Sequence, residues 1–144
     1  MDQLIDLDMN SWSDVRILSG NSHKKLAMKI CNLLNKPLSD CTIKDFSNTE
    51  IKVDINENIR NKHIFIVESG TYGYGKDKSI NDYFMETLII IDACRRSNPK
   101  SINLLLPCYP YARQDKKEDS REPITAKLIA NLLTTAGINR LLVV

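Results

Sequence analysis

The residues best suited to chemistry lie in one charged stretch, PCYPYARQDKKEDSREPITAKL, which runs from Pro107 to Leu128. Arg113 and Arg121 can each offer forked donors to phosphate oxygens, and Gln114 can read a base or ribose edge. Lysines 116 and 117 add mobile charges, and a hydrated magnesium ion bridging phosphates could be held by Asp115, Glu118 or Asp119. The composition fits a polyphosphate-binding loop. It also fits a solvated loop of mixed charge, and the residues alone leave both readings open.

A second candidate lies in the segment KDFSNTE. Phe46 ends a run of alternating apolar and polar residues, which predicts a position in the core. Alternatively, an aromatic side chain at a strand edge could stack on a purine, with Asn48 and Glu50 hydrogen-bonding the edge of the base. The pattern does not decide between these two roles.

The remaining candidates favour structural roles. The stretch GTYGYGKDKS fits neither a Walker sequence nor a dinucleotide-binding turn, so Gly70, Gly73 and Gly75 predict a mobile connection. His23 and His63 stand at the starts of a helix and a strand, which is typical of surface or capping residues.

Composition limits the function classes. The chain has 144 residues, 42% hydrophobic and 26% charged, which fits one globular domain. A net charge of +2 gives no reason to expect a nucleic-acid or membrane partner. The four cysteines form no CxxC pair and predict small buried hydrophobes, not a zinc site. No secretory signal or long apolar run is visible, so we predict a soluble cytoplasmic protein.

Strand-like and helix-like segments alternate along the chain. Residues 1–13 predict an N-terminal arm, and residues 14–144 predict a single domain. Strands are expected in VRILSG, CTIKDF, IKVDIN, KHIFIVES, SINLLLP and INRLLVV, with CTIKDF and IKVDIN forming half-buried strands or a hairpin. Helices are expected in three intervening segments: SHKKLAMKICNLLNKP, INDYFMETLIIIDACRRSN opened by an Asn or Asp cap, and PITAKLIANLLTTAG with Pro123 in its first turn and Gly137 as its C-cap.

This alternation predicts an α/β fold with a mostly parallel sheet and helices on both faces. In such folds, ligands bind beyond the carboxyl ends of the strands. The segments SGNSHKK, SGTYGYGKDKS and PCYPYARQDKKEDSRE all follow predicted strands, so we expect them at that edge.

From about Val15 to Val144 the chain resembles the N-terminal half of the ribose-phosphate pyrophosphokinases, also called phosphoribosyl pyrophosphate synthetases. The resemblance rests on the ordered blocks ILSGNSHKKLAMKI, KDFSNTEIKVDINENIRNKHIFIVES, INDYFMETLIIIDACRRS, LLLPCYPYARQDKK and SREPITAKLIANLLTTAG. It implies a phosphoribosyltransferase-like fold of Rossmann-like type. It also implies transfer of the β,γ-diphosphoryl group of ATP, with Mg²⁺, to ribose 5-phosphate, giving phosphoribosyl pyrophosphate and AMP.

The resemblance also assigns residues. It implies that Phe46, Asn48 and Glu50 contact adenine in the active site of a neighbouring subunit, so that the chain works in a homo-oligomer. In the charged stretch, the resemblance implies that ATP is bound by Arg113, Gln114 and Glu118. Arg60 and Arg121 match positions of a regulatory anion site in some members.

The chain departs from the family pattern where it stops at LLVV. The Asp-Leu-His block, the flexible catalytic loop and the motif for ribose 5-phosphate have no counterparts in the sequence. We therefore assign no catalytic residue and no metal ligand, and we expect no turnover from the chain alone. Ribose 5-phosphate is expected as a partner only when the C-terminal half is supplied. The alternative is a non-catalytic homologue that assembles with full-length synthetase subunits and modulates them.

Overall fold

The structure, a computed structural model, describes residues 12–72, 75 and 78–144. Residues 1–11 of the expected arm and residues 73, 74, 76 and 77 of the glycine-rich loop lie outside the described residues. Within these residues, nine elements follow one another in the order β1 Val15–Ser19, α1 Lys24–Leu33, β2 Cys41–Asp45, β3 Ile51–Ile55, β4 His63–Val67, α2 Ile80–Arg96, β5 Ser101–Leu106, α3 Thr125–Ala136 and β6 Arg140–Val143.

Four strands form a parallel sheet in the order β1-β4-β5-β6. The register pairs Val15 with His63 and His63 with Ser101, so β1, β4 and β5 start level with one another, whereas β6 starts opposite the third residue of β5. Their carboxyl ends therefore share one edge, from which the segments after β1, β4 and β5 emerge. The strands β2 and β3 form a separate antiparallel hairpin, as the alternating pattern predicted.

Helices cover both faces of the sheet, which confirms the predicted α/β class. On one face, strand residues such as Ile64 and Leu104 pack against Ile90 of α2 and Leu133 of α3. On the other face, Ile17 and Val67 pack against Ala27 and Cys31 of α1. Side chains of successive strand residues alternate between these two clusters because β-strands have a period of two residues. The hairpin contributes Ile43, Val53 and Ile55 to the α2 side.

The helix ends confirm one prediction and correct two. Gly137 caps α3 in the left-handed region at φ 114°, as expected. The N-cap of α2 is Ser79, not an Asn or Asp, and a capping box joins the Ser79 hydroxyl and backbone to Asp82. Pro123 precedes the N-cap residue Ile124 and so lies outside the first turn of α3.

The cysteines do not all behave as buried hydrophobes. Cys31 and Cys94 are buried and Cys41 is partly buried, but Cys108 is exposed, which corrects the prediction for that residue. Cys108 lies just past the end of β5, where the chain leaves the core. Within the described residues, no helix combines the length and apolar character needed to cross a bilayer.

Candidate functional site

The charged stretch forms a long loop between β5 and α3 that is anchored at both ends. Near its start, the Cys108 amide donates to the Ser69 carbonyl, which ties the loop to the segment after β4. Near its end, the Ala126 amide donates to the Gln114 carbonyl at 3.1 Å. Tyr111 adopts φ 59°, a conformation that is rare for a bulky residue. Such strained residues cluster at binding sites, so the loop is a site candidate on geometry as well as on charge.

The loop encloses a polar cleft of about 350 Å³. Its walls are formed by Arg113, Gln114, Lys116, Glu118, Glu122 and Pro123. No hydrogen bond or ion pair within the described part of the chain uses the side chain of Arg113 or Lys116. The cleft therefore brings together three residues assigned from the sequence, Arg113, Gln114 and Glu118. The charges of Arg113 and Lys116 are available in it to an anion.

Two side chains fix the shape of this cleft. One Glu122 oxygen accepts hydrogen bonds from the backbone amides of Glu118 and Asp119, at 2.9 Å and 3.0 Å. The Thr125 hydroxyl donates to the amide oxygen of Gln114. Because that oxygen is engaged, the amide nitrogen of Gln114 is the group that can serve a ligand as a donor.

The second candidate segment is the tight turn that joins β2 to β3. The Phe46 amide donates to the Glu50 carbonyl at 2.8 Å, and the Thr49 amide donates to the Phe46 carbonyl at 2.9 Å. Thr49 adopts φ 72°, an outlier for a β-branched residue. The Phe46 side chain is 54% exposed, so the prediction of a core position was wrong. The turn projects the ring away from the hairpin core.

Polar groups of the turn hydrogen-bond one another. The Asn48 amide nitrogen donates to a Glu50 carboxylate oxygen at 2.9 Å, and the Glu50 backbone amide donates to the Asn48 side-chain oxygen at 3.2 Å. Beside them lies a cleft of about 480 Å³ whose walls come from the turn and from the start of α2: Phe46, Thr49, Glu50, Ile51, Asn81, Asp82, Met85 and Ile89.

The start of α2 connects the two clefts. The Lys78 ammonium contacts both carboxylate oxygens of Asp45 at the base of the hairpin turn, at 2.7 Å and 2.5 Å. The Tyr111 hydroxyl of the charged loop donates to the side-chain oxygen of Asn81. The assigned residues nevertheless line two separate clefts, with Phe46 and Glu50 in one and Arg113 in the other.

Arg60 and Arg121 are not brought together. Arg60 precedes β4 and so lies at the amino edge of the sheet, while Arg121 lies in the loop beyond the carboxyl edge. A shared anion site between them would need a second chain.

The side chains of the charged-loop cleft show whether it could hold a magnesium ion. Among the described residues, no group of three His, Cys, Asp or Glu side chains could hold a metal ion. Mg²⁺ carried by a polyphosphate needs only one or two carboxylates, with water and phosphate oxygens as its other ligands. Glu118 beside Arg113 and Lys116 fits that requirement.

The sequence reasoning missed a pair of buried carboxyl groups at the same edge of the sheet. Glu68 follows β4 and is 1% exposed, and Glu86 on α2 is 0% exposed. Burial raises the pKa of Glu68 well above its ordinary value, and the contact with Glu86 raises it further. A signal was present, since Glu86 stands between Tyr83 and Ile90 on the apolar stripe of the helix.

Comparisons with known proteins identify the family. A family model described as the N-terminal domain of ribose phosphate pyrophosphokinase matches residues 15–137. Ribose-phosphate pyrophosphokinase of Agrobacterium fabrum is 48% identical over 128 residues, which is 89% of this chain and 39% of the relative. Ribose-phosphate pyrophosphokinase 2 of Saccharomyces cerevisiae is 46% identical over 132 residues, or 92% and 40%.

A solved structure agrees with these matches. Phosphoribosylpyrophosphate synthetase from Mycobacterium smegmatis superimposes with a TM-score of 0.83 at 39% identity, over 90% of this chain and 42% of that chain. The chain thus spans about two-fifths of the length of the curated relatives it matches. On the fold, the matched residues and these relatives together, the chain belongs to the family of ribose-phosphate pyrophosphokinase N-terminal domains.

Proposed function

We propose that this chain is the nucleotide-binding part of a ribose-phosphate pyrophosphokinase and that it binds ATP together with Mg²⁺. The charged loop from Pro107 to Ile124 holds the polyphosphate, and the turn at Phe46 holds the adenine. The whole enzyme transfers a diphosphoryl group from ATP to ribose 5-phosphate, and the sugar phosphate is bound by residues outside this chain. We place this activity in the cytoplasm.

One observation carries the proposal. Arg113, Gln114, Lys116 and Glu118 line a single cleft at the carboxyl edge of a parallel sheet, where α/β proteins bind ligands. The side chains of Arg113 and Lys116 have no ion-pair partner among the described residues, so a triphosphate would not have to displace one. An arginine can bind phosphate oxygens through two parallel hydrogen bonds, and a lysine adds a mobile positive charge.

In the proposed reaction the nucleophile belongs to the substrate, so what the protein must supply is charge and shape. The anomeric hydroxyl of ribose 5-phosphate attacks the β-phosphorus, the bond from that phosphorus to the α,β-bridging oxygen breaks, and AMP leaves. Such a displacement depends on positioning and on neutralising charge at the phosphoryl oxygens. Arg113 and Lys116 supply positive charge, Glu118 can take part in holding Mg²⁺, and Gln114 can orient the nucleotide. The metal supplies further charge neutralisation when it is bound.

The test is calorimetric titration of the chain with Mg-ATP, with the oligomeric state measured in the same buffer by sedimentation. Arg113→Ala removes a charge-assisted pair of hydrogen bonds and should weaken binding roughly 10- to 100-fold. Arg96→Ala is the matched control. Arg96 is an exposed arginine near the end of α2, paired with Asp92 and far from the cleft, so its loss should leave the affinity unchanged.

Two results would contradict the proposal. One is the absence of Mg-ATP binding to the wild-type chain in an oligomeric preparation. The other is an equal loss of affinity in Arg113→Ala and Arg96→Ala, which would indicate only a general effect of net charge.

The adenine part is tested separately by comparing ATP with inorganic triphosphate. Phe46→Ala should weaken binding of Mg-ATP and leave Mg-triphosphate unaffected, because only the nucleotide has a base to stack on the ring. Phe46→Tyr keeps an aromatic face and should bind both ligands like the wild type. Equal weakening of both ligands by Phe46→Ala would argue against base stacking.

A second candidate function is assembly with full-length synthetase subunits without catalysis. It is favoured by apolar side chains exposed around the hairpin cleft, namely Phe46 at 54% and Met85 at 52%. Co-expression of a tagged chain with a full-length synthetase tests it. Co-purification that is lost in Met85→Asp supports assembly, and failure of the wild-type chain to co-purify excludes it.

A further inference from the structure

Two buried carboxyl groups meet behind the ligand edge of the sheet. Glu68, which directly follows β4, and Glu86, on α2, lie in hydrogen-bond contact, and each is at most 1% exposed. They touch the loop that follows β1. The Asn21 amide donates to Glu86 at 2.6 Å, and the Ser22 hydroxyl donates to Glu68. Neither carboxyl group belongs to the nucleotide clefts described above.

The hydrogen bonds show where a proton must lie. Both oxygens of Glu86 accept from Asn21, one from the backbone amide and one from the side-chain amide at 3.3 Å. One oxygen of Glu68 accepts from Ser22, whose own hydroxyl oxygen accepts from the Ser69 amide at 2.8 Å. The other oxygen, Oε1 of Glu68, is buried and finds no donor among the described residues. Two ionised carboxylates in contact inside a protein repel each other strongly, so one of them keeps a proton.

We propose that Glu68 is a neutral carboxylic acid whose Oε1–H donates to the Glu86 carboxylate, and that this shared proton is a pH-sensitive clamp on the loops after β1 and β4. The clamp joins Asn21 and Ser22 on one side to Ser69 on the other. Ser69 in turn accepts from the Cys108 amide at the start of the charged loop. The inference rests on these contacts and does not depend on nucleotide binding.

Among the described residues, no lysine or arginine forms an ion pair with Glu68 or Glu86. The pKa of Glu68 is raised chiefly by burial and by the neighbouring Glu86, while the hydrogen bond from Ser22 lowers it. The Cys41 thiol lies near Glu86 and remains neutral, since burial and neighbouring carboxylates raise its pKa to about 11. Among the described residues, the other titratable or charged groups around the pair or around this thiol include Lys24 of α1, Asp40 before β2, Asp54 of β3, and Tyr83 and Cys94 of α2.

The direction of the pH effect follows from proton counting. In the unfolded chain, Glu68 loses its proton near the ordinary pKa of 4.5, whereas the folded chain keeps the proton to higher pH. The folded state then binds more protons than the unfolded state, and its stability falls as pH rises. The stabilisation is complete below the ordinary pKa and is lost as pH rises through the pKa of the folded state.

The first test is urea unfolding of the chain between about pH 5 and pH 8, comparing wild type with Glu68→Gln. The amide keeps the shape and a hydrogen-bond donor but has no proton to lose. The unfolding constant of wild type should therefore rise relative to that of Glu68→Gln, by up to roughly tenfold per pH unit. Asp92→Asn neutralises a half-exposed carboxylate on α2, the helix that carries Glu86. Its unfolding constant should depend on pH in the same way as that of wild type. Parallel curves for wild type and Glu68→Gln would overturn the shared proton.

Two further measurements use the wild-type chain, in case the variant does not fold. With ¹³C-labelled glutamate, NMR should find one side-chain carboxyl that stays protonated after the others have ionised. If all of them ionise together, the neutral acid is refuted. Amide exchange, corrected for its intrinsic pH dependence, should show protection of Asn21 and Ser69 that falls as that carboxyl ionises. Protection unchanged through its titration would refute the clamp.

Discussion

Replacing Gly20 by alanine tests how tightly the ligand edge is packed. A Cβ atom at residue 20 would lie 1.4 Å from Glu68 Oε1 and 2.1 Å from Glu68 Cδ. These separations are far below van der Waals contact, so the carboxyl group must move. Glu68 is 1% exposed and held by Ser22 and Glu86, so it cannot move without breaking those hydrogen bonds.

The cost can be worked out from those contacts. Losing hydrogen bonds of a buried carboxyl group costs about 2–4 kcal/mol. The added Cβ also lowers the conformational entropy of the unfolded chain, which stabilises the folded state by roughly 0.5 kcal/mol. We therefore expect Gly20→Ala to lower the free energy of unfolding by about 1.5–3.5 kcal/mol. Gly75→Ala is the matched control, because a Cβ at residue 75 meets no atom within 4 Å.

The assay is urea denaturation, arranged as a double-mutant cycle with Glu68→Ala. When the carboxyl group is absent, Gly20→Ala has little to collide with and should be nearly neutral, which gives a coupling of about 2 kcal/mol. A loss below 0.5 kcal/mol for Gly20→Ala, or an equal loss with and without the Glu68 side chain, would refute the packing argument.

Three further predictions concern single residues. Ser79→Ala removes the capping box of α2 and should lower the free energy of unfolding by about 1 kcal/mol, whereas Ser79→Asp should retain most of it in the same denaturation assay. Thr49→Gly relieves the left-handed strain at φ 72° and should raise the free energy of unfolding, measured by thermal denaturation, by roughly 0.5–1 kcal/mol. Ser47→Gly is the control and should bring no gain. Exposed Cys108 should react first with a thiol-specific alkylating reagent, whereas Cys94, a buried thiol whose pKa is raised by burial to about 12, should react only on unfolding. Peptide mapping by mass spectrometry measures the order of labelling, and early labelling of Cys94 would contradict the prediction.

Most of the fold could be predicted from local patterns. The alternating residues of CTIKDF and IKVDIN predict a hairpin, and the helical spacing of LAMKICNLL predicts α1, because these periods reflect which side chains face the core. The caps were harder to predict. Ser79 and Asp82 act together across three residues, while an Asn or Asp within the helical pattern looks equally suitable when it is considered alone.

The site was less predictable because burial depends on distant segments. Phe46 ends an apolar alternation, yet the turn carries it past the edge of the core into solvent. Glu68 reads as the polar end of a strand, but Ser22 and Glu86, distant from it in the sequence, enclose it. A single sequence shows which side chains can form hydrogen bonds, whereas burial of a carboxyl group depends on how three separate segments pack.

The separation of the two clefts has a consequence for how ATP binds. Within one chain, the turn at Phe46 and the side chain of Arg113 line two clefts that share no residue, so we expect no single nucleotide to occupy both. If the adenine and the triphosphate of one nucleotide use both, the turn comes from a second copy of the chain. Mg-ATP affinity should then rise with protein concentration as chains associate, because the nucleotide stabilises the assembly that completes its site. Mg-triphosphate, which needs only the charged loop, should bind with an affinity independent of protein concentration. Titrations at several chain concentrations test this arrangement, and an Mg-ATP affinity as independent of protein concentration as that of Mg-triphosphate would refute a site shared between two chains.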